Sequence, residues 1–220
     1  MHAVAIVAAA GSGSRLGADL PKALVPLGGR PLVAWSVDAL RTGGVNEVVV
    51  SVPTGRTGEF AAALDADVRL VEGGATRTAS VRAALAAAGN GPGAVLVHDA
   101  ARPLTPPDVV ARVLAALAAG APAVVPVLPV VDTTVVVDPA GTVTGALPRE
   151  NLRRVQTPQG FSREVLVRAY ARLPKGAELT DDAAVVHTIG VPVATVLGDE
   201  RAAKITVPHD LQLAERQVRP

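Results

Sequence analysis

A glycine-rich stretch near the start of the chain carries the residue types of an anion-binding loop. It runs from Val7 to Gly17 with the sequence VAAAGSGSRLG, and Pro21 and Lys22 follow closely. Glycines let backbone N–H groups converge on an anion without interference from a Cβ atom. Arg15 and Lys22 add a planar guanidinium and a compact ammonium, both suited to phosphate oxygens. The pattern predicts a triphosphate-binding loop.

Two better-known glycine loops do not fit this stretch. The dinucleotide fingerprint G-x-G-x-x-G would put Leu16 where its third glycine belongs, and no carboxylate closes the next apolar strand, residues 45–52. The Walker A spacing G-x-x-x-x-G-K-[ST] does not occur in the chain. A plain glycine turn between a strand and a helix stays open as the alternative. The rigid Pro21 directly before Lys22 favours a positioned charge instead.

Three further polar stretches follow predicted strands. They are residues 73–80 (GGATRTAS), 98–103 (HDAARP) and 199–205 (DERAAKI). Ligands of open α/β sheets bind beyond the carboxyl ends of the strands, so four such stretches on one edge predict a shared site. Asp99 is the carboxylate best placed to orient a metal or a substrate hydroxyl, and a structural pair between Asp99 and Arg102 is the alternative.

Several other chemistries lack their residues. The chain has no cysteine and no G-x-S-x-G nucleophile elbow. The pair Asp181 and Asp182 is interpreted as a helix-dipole feature rather than a metal site, with Thr180 as the helix cap. Zinc-ligand spacing is absent among the four histidines, which are His2, His98, His187 and His209.

Strand and helix patterns alternate along most of the chain. Strands are predicted at residues 3–9, 45–52, 68–71, 94–97, 123–127 and 193–197. Helices are predicted at residues 32–43, 57–64, 76–88, 106–119, 162–173, 180–187 and 207–219. Because the strands are apolar on both faces, this alternation predicts an α/β fold with a doubly wound, mostly parallel, Rossmann-like sheet.

The alternation of strands and helices is interrupted between residues 129 and 150. Residues 130–137 and 142–147 alternate as a β-hairpin does, around a turn at Asp138-Pro139-Ala140-Gly141. The threonine-rich, β-branched character predicts an arm that projects and pairs with another surface. We expect a single domain spanning residues 1–220 with this β-arm at about 129–150.

Composition narrows the possible partners. The formal net charge is +1, which gives no support for nucleic acid or an anionic membrane as partner. The N-terminus lacks a basic segment, and its apolar run is too short to span a membrane, so a cytoplasmic protein is expected. The chain uses only three lysines, and two of them, Lys22 and Lys204, fall in the candidate site stretches. The third, Lys175, lies between Pro174 and Gly176 in a predicted exposed turn.

Together these stretches carry a family resemblance. The opening loop resembles that of sugar-phosphate nucleotidyltransferases, and the whole chain resembles the 2-C-methyl-D-erythritol 4-phosphate cytidylyltransferase family. The matching stretches are residues 9–15 with Pro21-Lys22, 73–81, 97–103, 156–159 (QTPQ), 180–183 (TDDA) and 204–211 (KITVPHDL). The resemblance implies transfer of CMP from CTP to 2-C-methyl-D-erythritol 4-phosphate, with release of pyrophosphate, in non-mevalonate isoprenoid synthesis. It also implies Mg²⁺ or another divalent cation, whose protein ligands stay unknown.

The resemblance assigns roles to individual residues. Its catalytic cations are Arg15, Lys22 and Lys204. Its nucleotide-binding set, acting largely through backbone groups, is Ala9, Ala10, Gly11, Gly13, Gly74 and Ser80. Its residues for the methylerythritol phosphate are Asp99, Thr133, Arg149, Thr157 and Thr180. In this family the hairpin is exchanged between subunits and lends Arg149 and a threonine to the partner's site, which implies a homodimer.

Three other functions stay open from the residues. A cytidylyltransferase for another polyol phosphate, such as ribitol 5-phosphate, would differ around Asp99, Ala101 and the arm. A nucleotide-sugar glycosyltransferase would need an acidic metal motif after a mid-chain strand, where only Asp99 stands. A non-catalytic nucleotide-binding protein would keep the glycine turns without needing Lys22 or Lys204.

Overall fold

The computed structural model describes residues 1–11, 13, 16, 20–89, 91, 93–174 and 176–218. Its strands are β1 (Ala3–Ala8), β2 (Pro26–Leu27), β3 (Arg30–Pro31), β4 (Glu47–Val52), β5 (Arg69–Glu72), β6 (Ala94–Asp99), β7 (Ala123–Pro129), β8 (Thr134–Val137), β9 (Val143–Leu147), β10 (Arg153–Val155), β11 (Gln159–Ser162) and β12 (Ala194–Leu197). Its α-helices are α1 (Leu32–Thr42), α2 (Thr57–Ala63), α3 (Arg77–Ala87), α4 (Pro107–Ala118), α5 (Arg163–Arg172), α6 (Asp182–His187) and α7 (Pro208–Val218). Short 3₁₀ turns occupy Lys22–Leu24, Arg149–Asn151 and Glu200–Ala202.

A mixed eight-stranded sheet carries the fold. β1 lies parallel to β4 and β6, β4 is parallel to β5, and β7 is parallel to β12. The predicted doubly wound, mostly parallel architecture is confirmed. The register pairs Ala8 with both Ser51 and Asp99, so the carboxyl ends of β1, β4 and β6 lie side by side. This edge is where the glycine loop and the Asp99 stretch begin.

Two strands of the sheet were not predicted. β11 runs antiparallel to β6 and β7, and β10 runs antiparallel to β7. Both strands are short, and β11 contains Gly160, which weakens any strand pattern in the sequence. Gly160 packs so closely on α4 that a Cβ atom there would lie 2.4 Å from Cγ1 of Val113. Tertiary packing therefore decides the structure of this segment.

The core forms two layers, one on each face of the sheet. Successive side chains of a strand point to opposite faces. Ala3, Ala5 and Val7 of β1 accordingly join one cluster, which contains Phe60, whereas Val4 and Ile6 join the other, which contains Phe161. Strands buried on both faces read as continuous apolar runs, which explains why β1 shows no alternation.

The hairpin is present and forms a two-stranded sheet of its own. β8 and β9 pair antiparallel, from Thr134 opposite Leu147 to Val137 opposite Val143. In the turn, the carboxylate of Asp138 accepts hydrogen bonds from the N–H groups of Ala140 and Thr142, each at 2.9 Å. The predicted turn is confirmed, although the first strand begins at Thr134 rather than at residue 130.

Helix α6 begins one residue later than predicted. Its N-cap is Asp181, whose carboxylate accepts a hydrogen bond from the N–H of Ala184 at 2.8 Å. Thr180 is exposed and precedes the cap, so the prediction of Thr180 as cap was wrong. Among the described residues, no helix is both long enough and apolar enough to cross a membrane.

Candidate active site

A cavity of about 470 Å³ opens at the carboxyl edge of the sheet. It brings together nine residues that the sequence singled out, which are Ala9, Ala10, Gly11, Gly13, Lys22, Gly74, Ser80, Asp99 and Lys204. These residues come from the loop after β1, from the 3₁₀ turn Lys22–Leu24, from the end of β6, from the start of α3 with the loop before it, and from the segment before α7. The prediction that several strand-end stretches meet at one edge is confirmed. Arg15 lies outside the described residues.

The glycine loop packs directly onto Lys22. Gly13 has φ of +72°, a region that side chains with a Cβ atom rarely adopt. A Cβ atom at Gly13 would lie only 2.7 Å from Cβ of Lys22. Lys22 opens a 3₁₀ turn whose next two residues, Ala23 and Leu24, are buried in the core. The backbone that carries the lysine is therefore fixed from both sides.

The start of α3 forms a second wall of the cavity. Oγ of Ser80 accepts a hydrogen bond from the N–H of Gly74 at 3.1 Å and donates one to the carbonyl of Thr76 at 2.9 Å. Oγ1 of Thr76 caps the helix by accepting the N–H of Ala79 at 3.1 Å. The hydroxyl of Ser80 therefore holds the shape of this loop as well as lining the cavity.

Gly73 is a residue that sequence reasoning passed over. A Cβ atom there would lie 2.6 Å from Oγ of Ser80 and 2.7 Å from Cβ of Ala10. The absence of a side chain lets the wall at α3 approach the glycine loop. The glycine pair in the sequence was the signal, but only Gly74 was assigned a role from it.

Asp99 forms ion pairs with two cationic side chains inside the cavity. One carboxylate oxygen accepts from Nε of Arg77 at 3.2 Å, and the other accepts from Nζ of Lys204 at 2.8 Å. Burial by itself raises the pKa of Asp99, but the charges of Arg77 and Lys204 outweigh it and hold this pKa well below its ordinary value. The carboxylate stays ionised. The alternative of a pair with Arg102 was wrong, because Arg102 donates instead to the carbonyls of Ala202 and Val155.

Arg77 is the second residue missing from the sequence-based set. Its Nη2 also contacts a carboxylate oxygen of Asp182 at 2.7 Å. Burial lowers the pKa of Arg77, and Asp182 and Asp99 together raise it above its ordinary value. Its place in the stretch GGATRTAS was visible in the sequence, but its partners lie 22 and 105 positions away along the chain. No local pattern indicates such pairs.

Asp182 is more than the helix-dipole feature predicted from the sequence. It is fully buried and accepts a hydrogen bond from the hydroxyl of Tyr170 at 2.6 Å, in addition to pairing with Arg77. Burial and the carboxylate raise the pKa of Tyr170, so this hydroxyl keeps its proton and donates. The side chain of Gln159 accepts the N–H groups of Asp182 and Ala183 at 3.1 and 2.9 Å. A buried polar network of Asp182, Tyr170 and Gln159 therefore holds the guanidinium of Arg77 in place.

Thr157 lies behind Asp99 and does not line the cavity. Its Oγ1 accepts the N–H of Asp99 at 3.1 Å and lies 3.0 Å from Nδ1 of His98, while Nε2 of His98 lies 3.3 Å from the carbonyl of Arg102. Burial is the main reason that the pKa of His98 falls to about 4. The contacts fit a neutral imidazole with its proton on Nε2. Thr157 and His98 therefore position Asp99.

The other three residues expected to hold the polyol phosphate do not line the cavity either. Thr133 and Arg149 are exposed at the base of the hairpin, and Nη1 of Arg149 donates to the carbonyl of Val131 at 3.0 Å. Thr180 is exposed beside α6. A role for Thr133 and Arg149 in a partner's site stays a prediction.

We looked for side chains that could hold a metal ion among the described residues. That part contains no group of three or more His, Asp or Glu residues that could hold a metal ion. The charged side chains in the cavity walls are Lys22, Arg77, Lys204, Asp99 and Glu178. Since Asp99 is already paired with two of these cations, the walls are suited to anionic ligands.

Comparison with known proteins identifies a family that covers nearly the whole chain. Residues 3–220 match the family model of 2-C-methyl-D-erythritol 4-phosphate cytidylyltransferase. The protein of that name from Nocardia farcinica is 53% identical over 96% of this chain and 92% of its own length. The one from Frankia casuarinae is 50% identical over 96% of this chain and 79% of its own.

A solved structure gives the same result. The 2-C-methyl-D-erythritol 4-phosphate cytidylyltransferase of Thermus thermophilus superposes with a TM-score of 0.81 at 42% identity. The superposition covers 99% of this chain and 98% of that one. The family match extends over nearly the whole chain, including the segments at both ends that meet in the cavity. This chain belongs to the 2-C-methyl-D-erythritol 4-phosphate cytidylyltransferase family.

Proposed function

We propose that the protein transfers the cytidylyl group of CTP to 2-C-methyl-D-erythritol 4-phosphate and releases pyrophosphate, as a step of isoprenoid synthesis. The observation that carries the proposal is the cavity that joins the glycine loop to Lys22, Arg77 and Lys204. The family match over residues 3–220 supports the same reaction. Both substrates are anions, and these walls supply cations and exposed backbone N–H groups.

The chemistry needs alignment and charge neutralisation. A phosphate oxygen of the polyol phosphate attacks the α-phosphorus of CTP, and the bond from that phosphorus to the bridging oxygen breaks as pyrophosphate leaves. Repulsion between the two anions opposes the attack, so fixed cations lower the barrier. Lys22 and Lys204 line the cavity and are suited to this role. The family resemblance adds Arg15, and no covalent nucleophile is required.

The wall at α3 is suited to the nucleoside. Gly74 has no side chain, and a Cβ atom there would lie 2.5 Å from Cβ of Ala79, so this loop has little room to spare. Backbone groups held in place by Ser80 can contact the edge of a small base. We infer that a pyrimidine fits where a purine does not. The acceptor then lies toward Asp99, whose ionised carboxylate is suited to a polyol hydroxyl.

Mg²⁺ belongs to the proposal as an ion that arrives with the nucleotide. Mg²⁺ commonly keeps several waters and binds substrate phosphates rather than an all-protein cage. Asp99 is occupied by Arg77 and Lys204, which agrees with phosphate oxygens and water supplying the ligands. The ion would withdraw charge from the triphosphate, and the protein's cations act beside it. The compartment is a separate part of the proposal. Because the reaction consumes CTP, the cytoplasm, which holds the nucleotide pool, is the compartment that we propose.

A homodimer through the hairpin completes the proposal. β8 and β9 expose Val135, Val136, Val137 and Val143 to solvent. A two-stranded hairpin with no packing partner is only marginally stable in water, so this apolar surface favours packing against another surface. Pairing with a second copy would cover these side chains and bring Arg149 and Thr133 to the partner's cavity.

The test is a pyrophosphate-release assay on the purified protein with Mg²⁺. CTP with 2-C-methyl-D-erythritol 4-phosphate is expected to support turnover, and ribitol 5-phosphate is expected to be a poor acceptor. ATP and GTP should support little turnover with either acceptor. Comparable rates with ATP or GTP would contradict the nucleotide assignment, and faster turnover with ribitol 5-phosphate would contradict the acceptor.

A further inference from the structure

Glu178 is a carboxylate in a cavity otherwise suited to anions. It lines the same walls as Lys22, Arg77 and Lys204, and Asp99 is the other carboxylate among the described residues that line them. Asp99 is neutralised by two cations. Glu178, in contrast, makes no hydrogen bond or ion pair within the part of the chain that the structure describes. Glu178 is exposed, so its carboxylate is open to a hydrogen-bond donor from a bound ligand.

The backbone around Glu178 is held in place by its neighbours. Ala177 and Leu179 both pack against the core cluster that contains Phe161. The N–H of Leu179 also donates to Oγ1 of the buried Thr78 at 3.4 Å. Because both flanking residues pack on the core, the side chain between them is left to the cavity side. Glu178 therefore reaches the cavity from a fixed attachment.

The contact with Thr78 assigns Glu178 to one wall. Thr78 lies in the first turn of α3, directly after Gly74, Ala75, Thr76 and Arg77, which line the cavity. This is the wall that the proposed function gives to the nucleoside. Lys22 belongs instead to the glycine-loop wall, which the proposed function gives to the phosphates. On this wall a carboxylate is suited to accept hydrogen bonds from the hydroxyl groups of a ribose.

The other side chains on this wall cannot easily take that role. Oγ1 of Thr76 already accepts the N–H of Ala79, and Oγ of Ser80 is engaged with Gly74 and Thr76. Ala75 and Gly74 carry no polar side-chain atom. In the dinucleotide sites of Rossmann folds, an Asp or Glu carboxylate binds the ribose 2′-hydroxyl in this way.

We propose that Glu178 is a specificity-determining residue that accepts a hydrogen bond from a ribose hydroxyl of the nucleotide. The inference rests on the proposed function for the identity of the nucleotide. It makes the protein selective for ribonucleotides over deoxyribonucleotides through one side chain. The residue acts in binding and takes no part in the transfer of the cytidylyl group.

The test compares CTP with 2′-deoxy-CTP and 3′-deoxy-CTP in the Glu178→Ala variant and the wild type. Glu178→Ala is expected to lower kcat/KM for CTP by roughly 10-fold or more, the effect of losing a hydrogen bond to a charged group. The deoxynucleotide that lacks the contacted hydroxyl should be poor for the wild type and no poorer for the variant. Glu164→Ala removes an exposed carboxylate of α5 and serves as the matched control.

Two results would overturn the inference. One is an equal loss for CTP and for both deoxynucleotides in Glu178→Ala, and the other is no loss with any of them. Calorimetric titration of the three nucleotides into both proteins gives the same comparison without turnover. If the wild type binds CTP but releases no pyrophosphate with either polyol phosphate, the proposed function fails while the result on Glu178 still stands.

Discussion

Lys22 lies at the point where the glycine loop returns to the cavity, anchored by the buried Ala23 and Leu24. Negative charge shifts around the α-phosphorus during attack, so the ammonium should stabilise the transition state more than bound CTP. We expect Lys22→Ala to lower kcat by a factor on the order of 10² to 10³ and to change the KM for CTP far less. Alanine keeps the Cβ atom that packs on Gly13. Steady-state kinetics with both substrates measures kcat and the KM for CTP separately.

Two companion variants sharpen this measurement. Lys22→Arg should recover little, because a planar guanidinium cannot occupy the position of a compact ammonium. Lys175→Ala removes the same residue type from a position that the sequence places in an exposed turn and that lies outside the described residues. It should be nearly silent. Equal and small effects of Lys22→Ala and Lys175→Ala would refute the role of the opening loop.

Gly13 and Gly11 allow a direct test of backbone geometry in the same loop. Gly13 has φ of +72° and lies against Lys22, whereas a Cβ atom on Gly11 would meet nothing within 4 Å and Gly11 has no positive φ. Gly13→Ala is expected to cost on the order of 1 to 3 kcal/mol of unfolding free energy and to impair turnover by displacing Lys22. Gly11→Ala should leave stability unchanged. Urea unfolding of both variants checks this, and equal stabilities would show that the loop tolerates the substitution.

The carboxyl end of β6 carries a pH-dependent contribution to stability. His98 has a pKa of about 4 in the folded chain, against an ordinary value of 6.5. Well above pH 6.5 this residue is neutral in both the folded and the unfolded chain, so its contribution to stability is constant. As the pH falls from about 6.5 towards 4, His98 becomes protonated in the unfolded chain while it stays neutral in the folded chain. The free energy of unfolding should therefore decrease across this window.

Urea midpoints measured at several pH values in this window test the contribution. His98→Gln removes the titrating group and should flatten the slope, whereas His187→Gln, at an exposed position, should leave it as in the wild type. If His98→Gln showed the same slope as the wild type, the loss of stability in acid would come from other groups.

The elements also show how far the sequence could predict this molecule. Apolar runs and helix periodicity indicated most strands and helices, and parallel strands place their carboxyl ends on one edge, so Lys22, Gly74, Asp99 and Lys204 could be expected together. β10 and β11 could not, because short polar segments become strands only through their neighbours. The pairs that Arg77 makes with Asp99 and Asp182 were equally hidden, since they depend on contacts between distant segments.

At the scale of the whole molecule, the proposed homodimer predicts that the hairpin of each chain completes the cavity of the other. If the arm of one chain completes the partner's site, a mixed dimer of Lys22→Ala and Arg149→Ala chains has one site with both residues intact. Random mixing in equal amounts should then restore about one quarter of wild-type activity. Refolding the two inactive chains together and measuring pyrophosphate release tests this expectation.

The control for this experiment is a mixture of Lys22→Ala and Lys204→Ala chains. Both residues line the cavity of one chain, so each site of that mixed dimer keeps a defect and no activity should return. Equal behaviour of the two mixtures, with mixed dimers demonstrated by differently tagged chains, would mean that the sites are not shared through the arm.

The cavity walls extend from Ala8 to Thr206, nearly the full length of the chain. During translation, a nascent polypeptide can display the glycine loop long before the segment with Lys204 leaves the ribosome. The site is therefore completed only after the segment with Lys204 and Thr206 has emerged. In the finished protein the same arrangement couples ligand binding to the fold as a whole, because a nucleotide held by both ends of the chain stabilises every segment between them.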